Sequence, residues 1–215
     1  MMNSHTFRRL GLRGPSVKGS PLSGFTLVEL LLVMAIIIAM TALMGPVISG
    51  ILGGSQVSAG VETVQGALTT ARQIAATKNR LVEFRLISMK DPANPLSSSA
   101  IRAVQILENR ESGLTPIGKL RPLPSGIIIG TNTDLTSLAA LVTNNGDMRL
   151  PNVGTGYTYG CFHFKQDGST DLLTLVPGTN AIMTLYDGKM PGTPPKNFAT
   201  LMIEPATGTA VLYRP

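Results

Sequence analysis

Tryptophan is absent from this 215-residue chain, and four tyrosines and six phenylalanines are its whole aromatic content. A single cysteine, Cys161, rules out an intrachain disulfide. Two histidines, His5 and His163, are too few for a zinc module built from His and Cys pairs. Charged residues make up 14% of the chain, against about 25% in an average soluble domain. No serine, cysteine or aspartate sits in a nucleophile motif such as a Gly-x-Ser-x-Gly elbow, so an enzyme is not expected. Internal repeats are also missing.

The charge that is present is unevenly placed. Arg8, Arg9, Arg13 and Lys18 precede Glu29, and no acidic residue does. Residues 30–61 then contain no Asp, Glu, Lys or Arg. Without residues 1–24, 14 basic residues face 12 acidic ones, so the high isoelectric point is partly a property of the leader. No Lys/Arg cluster with interleaved aromatics follows, and nucleic acid is not an expected partner.

Residues 25–44 are apolar apart from Thr26, Glu29 and Thr41. As a helix they reach about 30 Å, the thickness of a hydrocarbon core. The four basic residues on the N-terminal flank would hold that side in the cytoplasm by the positive-inside rule, placing the C-terminal part across the membrane. An ordinary secretory signal is cut after its apolar core. Here the small-residue junction, Gly24-Phe25, comes before it. Glycine permits close approach of a peptidase to the backbone. Glu29 is costly inside a membrane and needs a partner or a shallow position. If cleavage follows Gly24, the new α-amine of Phe25 lies four residues away, on the same helix face. Self-neutralisation and a shallow, solvated carboxylate at the helix N-terminus are both open readings.

The basic leader, the hexapeptide Gly-Phe-Thr-Leu-Val-Glu at 24–29 and the uncharged run resemble the class III signal of type IV prepilins and type II secretion pseudopilins. The resemblance implies an aspartyl prepilin peptidase that cuts after Gly24 and methylates the amine of Phe25. It also implies that Glu29, at mature position five, pairs with the N-terminal amine of a neighbouring subunit during assembly. In a low-dielectric setting such a pair offsets two desolvated charges. Pro46 matches the family as well. With Gly45, Gly50, Gly53 and Gly54 around it, a kink or local melting is expected between Gly45 and Gly54.

Beyond the run the pattern changes. Val57, Val61, Val64, Leu68, Ala71 and Ala75 recur at alternating spacings of four and three, an amphipathic helix with Asn79 as its end. Gly60 and Gly66 weaken it in isolation, so packing against a sheet must hold it. A coiled-coil seam is the rival reading. From residue 80 onward the signature is β. Strands are expected at 81–87, 100–107, 126–129, 157–165, 172–176, 181–186, 198–203 and 210–213. A hairpin is expected at Asp167-Gly168, another turn at 204–208, and a short helix at 135–141. The expected fold is α+β: a long N-terminal helix packed on a C-terminal antiparallel sheet. The expected segments are a cleaved leader (1–24), a transmembrane helix (25–47), its amphipathic continuation (48–79) and a β-rich periplasmic domain (80–215).

His163 lies between Phe162 and Phe164, so in a strand it faces away from them, toward solvent if they enter the core. Asp167 and Asp171 bracket a glycine turn, which fits a turn better than a calcium loop; no metal ligand or other cofactor is expected. Many major pilins carry a C-terminal disulfide, and this chain departs from that pattern.

Two resemblances extend further. Residues 68–82, with Ala71-Arg72 and Lys78-Asn79-Arg80, are similar to the helix-to-strand junction of H-type minor pseudopilins and FimT-like proteins. Phe162 to Thr170 resembles their aromatic strand and turn. Arg102-Ala-Val-Gln105, the turn ending at Asp171, and Asn197-Phe-Ala-Thr with Glu204-Pro-Ala-Thr-Gly and Tyr213-Arg-Pro215 resemble the Verru_Chthon cassette protein D family of prepilin-like proteins from Verrucomicrobia. The expected function is that of a structural subunit (minor pseudopilin) of a type II secretion or type IV pilus-like fibre, a protein that crosses the inner membrane once with its N-terminus cytoplasmic and its C-terminal domain periplasmic. Its expected partners are prepilin peptidase, other pilin-like subunits and membrane lipid. The alternative is a membrane-tethered periplasmic module that binds DNA or an exported substrate.

Overall fold

The computed structural model describes residues 24–91, 94, 96–151, 153–177, 180–189, 192, 195 and 197–214, with residues 43–53 described by backbone alone. The chain divides into two units, 1–45 and 46–215. Helix α1 is assigned over Leu27–Lys78. Helical backbone runs from Gly45 to Gly54, the stretch where a kink or local melting is expected. The side chains at Pro46 and its neighbours fall outside the described residues.

In the first unit α1 begins with a capped turn. The hydroxyl oxygen of Thr26 accepts the N–H of Glu29 at 3.2 Å, and the Thr26 carbonyl accepts that of Leu30 at 3.2 Å. Thr26 is therefore the N-cap and Glu29 sits at the third helical position, where a carboxylate favours the positive end of the helix dipole. Behind it the apolar side chains are exposed on every side of the helix, from Phe25 and Leu27 (both 78%) to Met40 (57%).

In the second unit the continuation of α1 behaves oppositely. Val57, Val61, Val64, Ala67, Leu68, Ala71 and Ala75 are all buried in one cluster with residues of the sheet. These side chains are small, so the backbone comes close. A Cβ on Gly60 would lie 3.1 Å from Cγ2 of Ile127, whereas one on Gly66 meets nothing. The helix stops at Asn79, whose φ is +50°. That left-handed residue turns the chain while the Arg80 N–H reaches back to the Ala75 carbonyl at 3.2 Å, a Schellman-type closure. Lys78 and Arg110 then grip the buried Glu108 carboxylate at 3.2 and 2.8 Å, tying the helix end to the sheet.

The described strands are β1 (Val82–Met89), β2 (Ala100–Arg110), β3 (Gly113–Pro116), β4 (Arg121–Pro122), β5 (Ile127–Ile129), β6 (Asn144–Asn145), β7 (Thr158–Phe164), β8 (Ala181–Asp187), β9 (Phe198–Glu204) and β10 (Thr209–Tyr213). Among the described residues they form one antiparallel sheet, ordered β10-β9-β8-β5-β2-β1-β7-β6, with β3 and β4 also on β2. The fold of the second unit is thus α+β. A 3-10 turn, Ser137–Leu141, lies within the stretch where a short helix is expected.

One expected strand is wrong. Residues 172–176 do not pair as a hairpin with β7; Leu172–Leu175 form a single helical turn, α2. The Asp167-Gly168 turn does occur. Gly168 takes a φ of +83° and Asp167 accepts the N–H and hydroxyl of Ser169. Past it, however, the backbone returns only as one bridge, Phe164 to Thr170. Thr170 N–H bonds instead to the Pro205 carbonyl in the β9–β10 turn. Leu172 is buried while Leu173 and Leu175 stay exposed, a poor match to a paired strand.

Candidate functional site

Two places concentrate the features that the fold alone does not require. The first is the N-terminal end. A Cβ added to Gly24 would meet nothing within 4 Å, and the φ of Gly24 is not in the left-handed region, so nothing in this fold demands glycine there. Phe25, the next residue, lies exposed. Glu29 is exposed, and its N–H is held by Thr26. The Thr-x-x-Glu spacing is that of a capping box, of which the Thr26 half is formed; the Glu29 carboxylate sits near the positive end of the helix dipole. Among the described residues no helix is long and apolar enough to cross a membrane, a statement that does not bear on β-barrels. The side chains at 43–53, which continue the apolar run, are outside that set.

The second place is the face of the sheet turned away from α1. All eight residues of β1 are buried, so both faces are covered. Val82, Phe84 and Leu86 face the helix. Glu83, Arg85, Ile87 and Met89 face the other way, where Leu150 and Tyr157 cover the last two. Glu83 and Arg85 carry charge into this layer. Glu83 stands opposite His163 and Arg85 opposite Cys161 in the β1–β7 register.

The charges form a chain. Asp171 accepts the His163 backbone N–H at 2.8 Å and contacts its ring Nδ1 at 2.7 Å. Nε2 of the same ring lies 3.5 Å from Glu83. The Arg85 Nε donates to Glu83, and its two terminal nitrogens donate to both oxygens of Asp147 at 2.5 and 2.8 Å. The guanidinium is stacked 4.0 Å from the centre of the Tyr159 ring, and the Tyr159 hydroxyl donates to Asp147 at 3.3 Å. Each partner shifts its neighbour. Asp171 and then Glu83 raise His163 to about 9 against the opposing effect of burial. Burial pushes Glu83 up, but His163 and Arg85 together outweigh it and hold the carboxyl below its ordinary range. For Asp171 burial is likewise outweighed by His163. Asp147 is lowered by Arg85. His163 is therefore a cation at neutral pH, clamped between two carboxylates.

Such a cluster holds three carboxylates against two cations, and each polar end is used. It has no free base and no open nucleophile. Cys161 is half-buried, and burial pushes its thiol up to about 11, so a reactive thiolate is not formed near neutral pH. Among the described residues no three His, Cys, Asp or Glu side chains are arranged to hold a metal ion. The chemistry is that of a fastener: Arg85 and Asp147 pin the 146–151 loop onto β1, and His163 and Asp171 pin α2 onto β7.

His163 does point away from Phe162 and Phe164, which sit in the helix-side core. It does not point to solvent; it is half-buried in the ion chain. Asp171, a turn residue by its sequence, is its partner. Arg85, Glu83, Asp147 and Tyr159 belong to no sequence motif. The signal available is an Arg and a Glu at alternate positions of an otherwise apolar segment.

No family model matches the chain, so the likeness to the Verru_Chthon family rests on the quoted residues alone. No curated protein matches it either. Among solved structures, the minor pseudopilin EpsH from the Type 2 Secretion System of Vibrio cholerae is similar at 10% sequence identity and a TM-score of 0.40, over 74% of this chain and 98% of that one.

Proposed function

We propose that the chain is a prepilin-like structural subunit, processed after Gly24 and held in the inner membrane by residues 25–47. Its α+β unit then lies on the periplasmic side. The observation that carries this reading is the order of three features: a basic leader, a glycine that the fold does not need, and a helix apolar on every exposed side. A helix apolar all round is stable only where lipid or other helices cover it. Both surroundings exist for a fibre subunit: lipid before assembly, neighbouring anchor helices after it. A carboxylate at the third helical position, one turn from a newly made amine, suits subunit-to-subunit pairing.

The test is co-expression with an aspartyl prepilin peptidase. The membrane fraction should yield a product lacking residues 1–24 and starting at a methylated Phe25, by intact mass. Gly24→Val should leave the full-length precursor. Glu29→Ala should be cut and stay in the membrane, yet fail to co-purify with pilin-like subunits. A product that keeps residues 1–24 in the presence of active peptidase overturns the reading.

A further inference from the structure

The ion chain has a neighbour with opposite habits. Next to Arg85 in the β1–β2 register stands Gln105, which is 4% exposed, and its Oε1 is buried with no hydrogen-bond partner among the described residues. A buried acceptor without a donor costs about 1–3 kcal/mol. Gln105 lies on the wall of a cavity of about 560 Å³ that also touches Pro116, Leu120, Met148 and Leu150. Sites for small ligands fall in the range of roughly 300–1,000 Å³.

Both walls are fixed. On one side the chain leaves β2 at the Leu107–Pro116 pair, arches over Gln105 through Gly118 (φ +72°), and rejoins β2 at Ala103–Pro122. On the other side Asp147 is pinned by Arg85, and the Met148 carbonyl accepts the Tyr157 hydroxyl at 2.9 Å. The cavity is therefore built before anything enters it.

Its charge is one-sided. Lys119 and Arg149 touch the cavity, both are exposed, and neither has an ion pair or hydrogen bond among the described residues. Among the described residues no acidic one touches it. The nearest carboxylate along the chain, Asp147, is committed to Arg85. Two unpaired cations over apolar walls suit a molecule that joins a carboxylate to a greasy side chain. Gln105 on the wall narrows the class: its Oε1 has no accessible surface, and a turn of the terminal torsion is what brings the carboxamide to the cavity. A carboxamide offers one acceptor and a donor group, the complement of a peptide unit, and its terminal torsion turns easily. A hydrocarbon chain would leave it unpaired.

We infer that this cavity binds the free carboxyl terminus of a polypeptide that ends in an apolar residue. The carboxylate meets Lys119 and Arg149, the last peptide unit meets Gln105, and the terminal side chain packs on Leu120, Met148 and Leu150. The inference is independent of the N-terminal helix and stands or falls without it.

The test uses the full chain in detergent micelles and three probes: acetyl-Ala-Ala-Leu with a free carboxylate, the same peptide as its C-terminal amide, and octanoate. The free acid should bind saturably, and the amide about tenfold more weakly, the size of one charge-assisted contact. Lys119→Ala and Arg149→Ala, both on exposed side chains, should each weaken the acid and leave the amide unchanged. Gln105→Leu should weaken both peptides. Equal binding of acid and amide, or no saturable binding of the acid, overturns the inference. Octanoate binding more tightly than the peptide would overturn it too, since the site would then be one for fatty acids.

Discussion

The two faces of β1 solve the same problem by different means. One face presents Phe84 between Val82 and Leu86 to a helix of small residues. The Phe84 ring packs 5.2 Å from that of Phe162, which lies 5.5 Å from Phe164. The other face presents Glu83 and Arg85 and surrounds them with partners. Apolar packing is forgiving of exchange if volume is kept. A buried ion chain is not: each member is satisfied only while the others stay. The difference locates rigidity. The helix face gives the unit its core, and the ionic face fixes where the loops go.

The largest test of this contrast is a pair of substitutions. Arg85→Met should lose about 3–5 kcal/mol in denaturant unfolding, because Asp147 loses its cation and the buried Glu83 keeps only His163. Phe84→Ala should lose a similar ~3–5 kcal/mol by leaving a cavity. The two should differ on rescue. Replacing Glu83, Arg85 and Asp147 together with apolar residues should restore most of the loss at Arg85. If Arg85→Met alone costs under about 1 kcal/mol, the ionic face is not the fastener described above.

The next effect is pH dependence. A His163 raised to about 9 from 6.5 contributes stability that is complete below pH 6.5 and disappears as pH climbs through 9. The shift corresponds to about 3 kcal/mol, reduced to roughly 2–3 kcal/mol by solvent screening of the partly exposed ring. The lowered carboxylates Glu83, Asp147 and Asp171 act in the opposite window. Their contribution is present above the ordinary carboxylate range and is lost as pH falls below it. Thermal melts from pH 3 to 10 should trace a plateau with both shoulders, and His163→Gln should remove the alkaline one.

The smallest test concerns the helix face. Gly66→Ala should raise stability by about 0.5–1 kcal/mol, since the added methyl meets nothing and helix propensity improves. Gly60→Ala should not share the gain, because its methyl would press on Ile127. Equal gains at both positions would mean that the helix and sheet are not in close contact at Gly60.

Much of the helix face is legible in the sequence. The spacing of Val57, Val61, Val64, Leu68, Ala71 and Ala75 is a helical signal that survives intact in the burial pattern, and the long strands with alternating residues fall where that pattern puts them. The short strands β3, β4 and β6 escape because two to four residues carry no period; their pairing is decided by β2 and β7. Residues 172–176 mislead because an apolar run reads alike as strand or buried turn. The ionic face is the least visible part. Asp147 is 62 residues from Arg85 in the chain, and no local rule links a loop aspartate to a strand arginine. Alternation puts His163 on the right side of its strand, but what covers that side is a long-range fact.

Asn79 governs more than the end of a helix. The residues that follow it enter β1 directly, and side chains of a strand change sides with every step. Adding or deleting a single residue at this corner would present Arg85 to the phenylalanines and Phe84 to the carboxylates. One left-handed backbone thus sets the parity of the sheet, and through it decides which half of β1 is dry and which is charged.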